Sequence, residues 1–297
     1  MQSLQSIADF IRWGASRFTE AELFFGHGTD NALDEAAVLV LHSLYLPPDL
    51  SSVWFGARLT QEEREKVLTL LQRRIDERIP AAYLTGESWF AGMRFQVNPN
   101  VLIPRSPIAE LVEKGFEPWI DPTNIHHLLD LCCGSGCIGI AAAVYLPECE
   151  VDLTDISEPA LKLAQVNVQE HGLDQRVNVI RSDLFSSLAG RQYDVIVSNP
   201  PYVSRSELSH LPKEYAHEPA MALEAEEDGL AVVAKILREA HAHLSPEGIL
   251  VLEVGRNAEA LMTRYPDVPF MWLDFEWGGD GVFLFTAEEL KQYNDTF

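Results

Sequence analysis

The residues best suited to chemistry in this chain are Asn199-Pro200-Pro201-Tyr202, which follow the apolar run Val195-Ile196-Val197-Ser198. A planar –NH2 group offers two hydrogens, and its lone pair is delocalised into a carbonyl or ring. The Asn199 side-chain oxygen and the Pro200 main-chain oxygen can accept one hydrogen each. The prolines fix the backbone, so these oxygens point in set directions. Tyr202 is expected to stack on the flat group and fix the line of attack, with Pro201 completing the substrate side. This pattern predicts transfer of a sulfonium methyl to nitrogen, driven by alignment and electrostatics. No strong base is needed, because the nitrogen sheds its proton after attack. A plain strand-ending Pro-Pro turn is the competing reading, and the neighbouring motifs decide against it.

Those motifs begin at Leu128-Leu129-Asp130-Leu131-Cys132-Cys133-Gly134-Ser135-Gly136, a strand running into a tight turn and then a helix. Glycines at such a turn let a ligand approach the backbone closely. Asp130, Cys132, Gly134, Ser135 and Gly136 are therefore candidate cofactor contacts. Asp155 falls nineteen residues after Gly136, at the end of the next strand. A carboxylate there can accept both ribose hydroxyls, or it can cap the helix that opens at Ser157-Glu158-Pro159. Asp183 ends the third strand, where an adenine amino group would sit, with Leu184 and Phe185 as apolar flanks. Gly139 completes a G-x-G-x-x-G spacing, so the turn alone leaves NAD open. The Asn-Pro-Pro-Tyr stretch shifts the expectation to S-adenosylmethionine, with Asn199 serving both cofactor and target.

The elements that must position these groups read as two parts. Residues 1–86 are predicted to be helical. Ile7, Phe10, Ile11 and Phe18 recur at helical spacing, Asp34 to Tyr45 forms a second helix, and Thr60 with Glu63 makes a capping box for a third. In that third helix Val67, Leu70, Leu71 and Ile75 are the expected buried stripe. Residues 87–104 are predicted to be a linking β-hairpin, with Phe90, Met93, Phe95 and Val97 around a turn at Gly92. From 105 to 297 strands and helices alternate. Strands are expected at 127–132, 150–154, 177–181, 193–198 and 248–254, and helices at 137–146, 157–171, 228–244 and 256–264. This is the pattern of an α/β fold with a parallel sheet. A final hairpin, 270–276 with 281–285, would add an antiparallel strand.

The chain has 297 residues and a formal net charge of −23. Phosphate backbones are gripped by clusters of Lys and Arg, and the chain offers no such cluster apart from Arg73-Arg74. Direct nucleic-acid binding is not expected, whereas a basic protein would be drawn in by the field. No apolar run reaches a membrane span, and Met1 to Phe10 lacks the pattern of a signal peptide. Cys132, Cys133, Cys137 and Cys149 crowd one stretch, which fits a reducing cytoplasm better than a disulfide framework. Adjacent cysteines without a neighbouring histidine do not make a metal site, so none is expected. His217 and Glu218 could act as base and acid or could place the loop after Tyr202. Arg105 could touch substrate or pair with one of the many acids.

Taken together, Val101-Leu102-Ile103-Pro104-Arg105, Asp130 to Gly136, Asp155, Asp183, Asn199 to Tyr202 and His217-Glu218-Pro219 resemble the HemK-like protein glutamine methyltransferases. The resemblance implies a seven-stranded, Rossmann-like (class I) S-adenosylmethionine methyltransferase domain behind a small helical domain. It also implies methylation of a glutamine side-chain amide. Gly26-His27-Gly28-Thr29-Asp30-Asn31, Pro104-Arg105-Ser106-Pro107 and Trp277 to Phe283 resemble the branch that modifies a basic protein of the large ribosomal subunit. The release-factor branch usually has Pro-Arg-Pro followed by an acid and Thr, absent here. A DNA adenine methyltransferase would need a basic cleft and a target-recognition domain, and neither is visible. An assembly factor with a vestigial nucleotide site would not need Asn199, Asp155 and Gly134 intact. Cys132 stands where most of the family has glycine. Residues 1–86, the hairpin at 89–97 and Arg105 are expected to frame a substrate cleft over Tyr202.

Overall fold

The computed structural model describes residues 3–225 and 229–297, which form two compact units. The first comprises residues up to Ser88, Val97–Pro99 and, from much later in the chain, Pro212–Glu218. Its helices are α1 (Ile7–Glu20), α2 (Ala32–Ser43), α3 (Gln61–Glu77) and the short α4 (Ala81–Thr85). Ser6 with Asp9 and Thr60 with Glu63 cap α1 and α3 reciprocally, each side chain satisfying an otherwise orphaned N–H at the other end of the box. Phe10, Phe18, Leu39, Val40, Val67 and Leu71 are fully buried in one cluster.

The stripe on α3 departs from the expected one. Val67 and Leu71 are buried, but Leu70 and Ile75 only line the margin, and Arg74 is fully buried between them. A cation occupies this core position because its charge is met there. Arg74 donates from Nε to Glu35 at 2.6 Å and from Nη2 to the Phe24 carbonyl at 2.9 Å, and its Nη1 lies 3.5 Å from Glu214. Arg73 pairs with Glu77 one turn on. The Arg73-Arg74 pair therefore forms no basic patch.

The hairpin strands are β1 (Glu87–Phe90) and β2 (Met93–Gln96). Ala91 and Gly92 both take positive φ, 46° and 72°, which is the two-residue turn whose twist matches the strands. The second unit continues with α5 (Ile108–Glu113), β3 (His127–Leu131), α6 (Cys137–Tyr145), β4 (Glu150–Asp155), α7 (Glu158–Glu170), β5 (Val177–Arg181) and β6 (Tyr193–Ser198). Then come β7 (Val203–Ser204), α8 (Arg205–Leu208), α9 (Ala220–Leu223), β8 (Glu224–Ala225), α10 (Ala231–Ala240) and β9 (Leu244–Glu253). The chain closes with α11 (Ala258–Arg264), β10 (Met271–Trp272), β11 (Val282–Thr286) and α12 (Ala287–Tyr293).

Seven strands form the main sheet in the order β10-β11-β9-β6-β3-β4-β5. The five strands from β9 to β5 run parallel, and β11 is antiparallel to both of its neighbours. Strand residues alternate between the two faces. Leu128, Val151, Val195 and Val251 enter one core with α5, α6 and α7, while Leu129, Ile196, Leu250 and Leu252 enter the other with α10 and α12. A sheet buried on both faces explains the near-continuous apolar strands. Strand order reverses at β3, which has β4 on one side and β6 on the other; ligands bind outside the carboxyl ends of strands at such a point.

Three boundaries differ from expectation. β9 begins at Leu244, because Leu244 pairs with Tyr193 although Ser245-Pro246-Glu247-Gly248 reads as a turn. The helix expected over 228–244 is α10 plus a 3-10 turn at His241–His243, and residue 228 lies outside the described residues. The 270–276 strand shrinks to Met271–Trp272. Among the described residues no helix is long and apolar enough to cross a membrane.

Gly139 shows how tightly α6 sits on the sheet. A Cβ there would lie 2.3 Å from Leu153 and 3.0 Å from the Asp130 Cβ. Gly139→Ala is expected to cost roughly 1–3 kcal/mol, the usual cost of overpacking. A denaturant midpoint unchanged from the parent would contradict this close packing.

Candidate active site

A cavity of about 500 Å³ opens at the carboxyl ends of β3, β4, β5 and β6. Cys132, Gly134, Ser135, Asp155, Asp183, Leu184, Asn199, Pro201 and Arg105 all stand on its wall. Residues from five separate stretches of sequence thus meet around one space large enough for a nucleoside and a target side chain.

Asp155 holds the turn across from it. One carboxylate oxygen accepts the Gly134 N–H at 3.0 Å, and the other accepts the Ser157 N–H at 2.8 Å. The alternatives of ribose acceptor and helix-start ligand are therefore not exclusive, since each oxygen retains a second lone pair. Burial raises the pKa of Asp155, opposed by these backbone bonds. A Cβ added to Gly134 would meet no protein atom within 4 Å, so it would project into open space where a ligand can lie against the backbone. This open backbone, with a carboxylate beside it, fits a nucleoside. The turn at Asp183-Leu184 is tied by Ser182, whose hydroxyl donates to the Leu184 carbonyl at 2.5 Å.

Cys132 has φ 59°, a left-handed conformation that favours glycine. Its side chain hydrogen-bonds to Ser198, and burial pushes its thiol far above the usual range, so it is neutral and no nucleophile. Cys137 is similarly pushed up, to about 12, by burial. All four cysteines are free thiols.

Four of the expected site residues are not on the cavity wall. Asp130 is fully buried beneath the turn, where one oxygen accepts the Gly139 N–H at 2.9 Å and the other has no partner. Burial pushes its pKa up to about 7. Asp130 therefore secures the start of α6 from below. Gly136 caps α6 in a left-handed conformation and packs against Leu153. Pro200 is buried. The Tyr202 hydroxyl donates to Glu253 at 3.2 Å, so this ring is anchored at its far end.

His217 and Glu218 belong to the first unit. The ring Nε2 of His217 lies 2.9 Å from the Glu77 carbonyl, which fixes the tautomer as a donor there, and Glu218 is buried 3.4 Å from His27. Neither stands on the cavity wall, so an acid–base role has no geometric support.

Two positioning residues escaped sequence reasoning. Asn167, fully buried on α7, donates to the Ser135 and Gln96 carbonyls at 2.9 and 3.1 Å and accepts the Gln96 N–H at 2.8 Å. It ties β2 to the glycine-rich turn. An amide on the buried face between Ala164 and Val168 was the available signal. The other is Glu253, which ends the apolar run Leu250-Val251-Leu252. An acid at a strand end marked Asp155 and Asp183, and the same sign applied here.

Comparison with known proteins sharpens this picture. The family description "Methyltransferase small domain" fits residues 118–226, and "PrmC N-terminal domain" fits residues 9–86. A ribosomal protein uL3 glutamine methyltransferase of Xanthomonas campestris pv. campestris is 54% identical over 287 residues, 97% of this chain and 93% of the relative. One from Xylella fastidiosa is 52% identical over 292 residues, 98% and 93% of the two chains. Among solved structures, the hMettl16 catalytic domain in complex with the MAT2A 3'UTR hairpin 6 aligns with a TM-score of 0.52 at 18% identity. It covers 77% of this chain and 83% of its own, a likeness of fold.

Proposed function

The chain belongs to the HemK-like protein glutamine methyltransferases, the family of the uL3 enzymes above, and we propose that it methylates a glutamine amide of ribosomal protein uL3. S-adenosylmethionine is the methyl donor, supplying an electrophilic methyl group on a sulfonium. The observation that carries the reading is the convergence of Asn199 with Asp155 and Asp183 on one cavity.

In this reading Asp155 accepts the ribose hydroxyls, and Asp183 with Leu184 receives the adenine. Gly134 and Ser135 offer backbone against the donor. Asn199 Oδ1 and the Pro200 carbonyl each accept one N–H of the target amide. Those two bonds turn the nitrogen lone pair out of conjugation and towards the methyl carbon. A nitrogen–carbon bond forms as the carbon–sulfur bond breaks, and the nitrogen then loses a proton to water. Pro201 and Arg105 border the approach, and Tyr202 closes the target side. The helical unit carries no chemical motif, and selection of the protein substrate falls to it.

The charge of −23 favours a basic partner and disfavours a bare phosphate backbone. Four free thiols suit the cytoplasm, where a ribosomal protein is made. Intact-mass analysis of uL3 incubated with enzyme and S-adenosylmethionine should show a gain of one methyl group, mapped to a glutamine by fragmentation. Methylation of duplex DNA with uL3 left unmodified would overturn the substrate, and binding of NAD but not S-adenosylmethionine would overturn the donor.

A further inference from the structure

Glu253 ends β9 among leucines and is almost fully buried. It accepts the Ser106 hydroxyl at 2.5 Å and the Tyr202 hydroxyl at 3.2 Å, and it hydrogen-bonds with the Asn199 side chain. The direction of each bond is constrained. Ser106 Oγ accepts the Ile108 N–H at 3.2 Å, which leaves its proton for Glu253. An ionised carboxylate has no hydrogen to give, so Asn199 can meet it only with its –NH2. One buried group thus grips both ends of Asn199-Pro200-Pro201-Tyr202 and joins them to the Pro104-Arg105-Ser106-Pro107 stretch. Burying an acid at this position is costly, and filling it with another leucine would not be.

We propose that Glu253 is a positioning residue for the methyl transfer: by accepting from the Asn199 –NH2, it leaves Asn199 Oδ1 as the atom offered to the target nitrogen. The two ends of an asparagine amide have nearly the same shape, so only their partners decide which faces the cavity. A flipped Asn199 would present hydrogens to a group that is itself a donor, and the target would be repelled from its line of attack. Glu253 sets that choice without touching the substrate. The Tyr202 bond does the second half of the task by fixing the ring at the other end.

This inference rests on the proposed role of Asn199, and the test separates the two. Glu253→Gln keeps the shape but can present either oxygen or –NH2, so Asn199 is no longer held one way. Its kcat on uL3 should fall about 10- to 100-fold, while KM and S-adenosylmethionine affinity stay within about threefold. Asn199→Asp sets two carboxylates against each other and should lose roughly 100-fold or more. Combining it with Glu253→Gln restores a donor–acceptor pair and should recover about 10-fold or more of that loss, an effect that general loosening of the site cannot produce. The double variant carries the test even where Glu253→Gln alone folds poorly. If Asn199→Ala turns over normally, the reading of Asn199 fails and this one with it. If Asn199→Ala is slow, but Glu253→Gln is unimpaired or the double variant shows no recovery, Glu253 does not set the amide and only this proposal falls.

Discussion

Asn199→Ala is expected to lower turnover on uL3 by roughly 100-fold or more, with a much smaller loss of S-adenosylmethionine affinity. A factor of 100 corresponds to about 2.7 kcal/mol of transition-state stabilisation, typical of one preorganised hydrogen bond at a reacting centre. Asn199 stands half-exposed on the cavity wall, immediately after β6, whose Val195, Ile196 and Val197 are fully buried. Truncating it should therefore leave the strand and the fold in place. The nucleoside is held by Asp155, Asp183 and the Gly134 turn, none of which depends on the Asn199 oxygen. The bond in question strengthens as the target nitrogen gives up conjugation, so its loss should appear in kcat with KM nearly unchanged. Single-turnover rates and calorimetry on the same preparation separate the two effects. Near-normal turnover in a variant that binds the donor normally would refute the assigned role.

Much of this site was legible in the sequence because its logic is local. Apolar strands ending in Asp155, Asp183 and Asn199 announce both the sheet and the edge at which ligands meet it. The capping box at Thr60 and the turn at Gly92 are likewise short-range signals, and both appear where expected. What escaped reading depends on partners distant in sequence. Glu253 becomes part of the site only because β9 lies beside β6, bringing it to Tyr202 and Ser106. Asp130 looked like a ligand contact because it precedes the glycine-rich turn, yet strand alternation sends its carboxylate beneath Gly139. His217-Glu218 follows the Asn-Pro-Pro-Tyr loop by only a few residues, but the chain crosses into the first unit there. A 3.6-residue period predicts which face of α3 is buried. It cannot predict that Arg74 would be tolerated on that face, because its counter-charges lie 39 and 140 residues away.

Replacing that arginine should destabilise the protein more than Gly139→Ala or any change at the cavity wall. Arg74→Met keeps the length and apolar stem of the side chain but removes the charge. Glu35 would keep the Thr29 hydroxyl, at 2.8 Å, but no counter-charge in a site from which water is excluded. Glu214 would retain Arg78 at 3.2 Å and the Phe24 N–H at 3.1 Å. Breaking one side of a buried ion pair costs about 3–5 kcal/mol, mostly the cost of the charge left behind. Hydrogen exchange in α1, α2 and α3 should therefore accelerate by about 10²- to 10³-fold, at one decade per 1.4 kcal/mol. Adding Glu35→Leu removes the stranded charge and should restore most of the protection, because an apolar replacement of both partners is often neutral. The effect should also depend on pH. Burial raises the pKa of Glu214, but the Phe24 N–H, its own backbone N–H, Arg74 and Arg78 outweigh it, leaving the carboxyl below its ordinary value. The stabilisation it contributes is thus present above the ordinary glutamate range and is lost as pH falls through the lowered value. Deleting residues 1–86 would be a poorer experiment on the helical unit, since it strips Glu214 of both guanidinium partners at once. If Arg74→Met leaves exchange in the three helices unchanged, the cluster does not hold the first unit together.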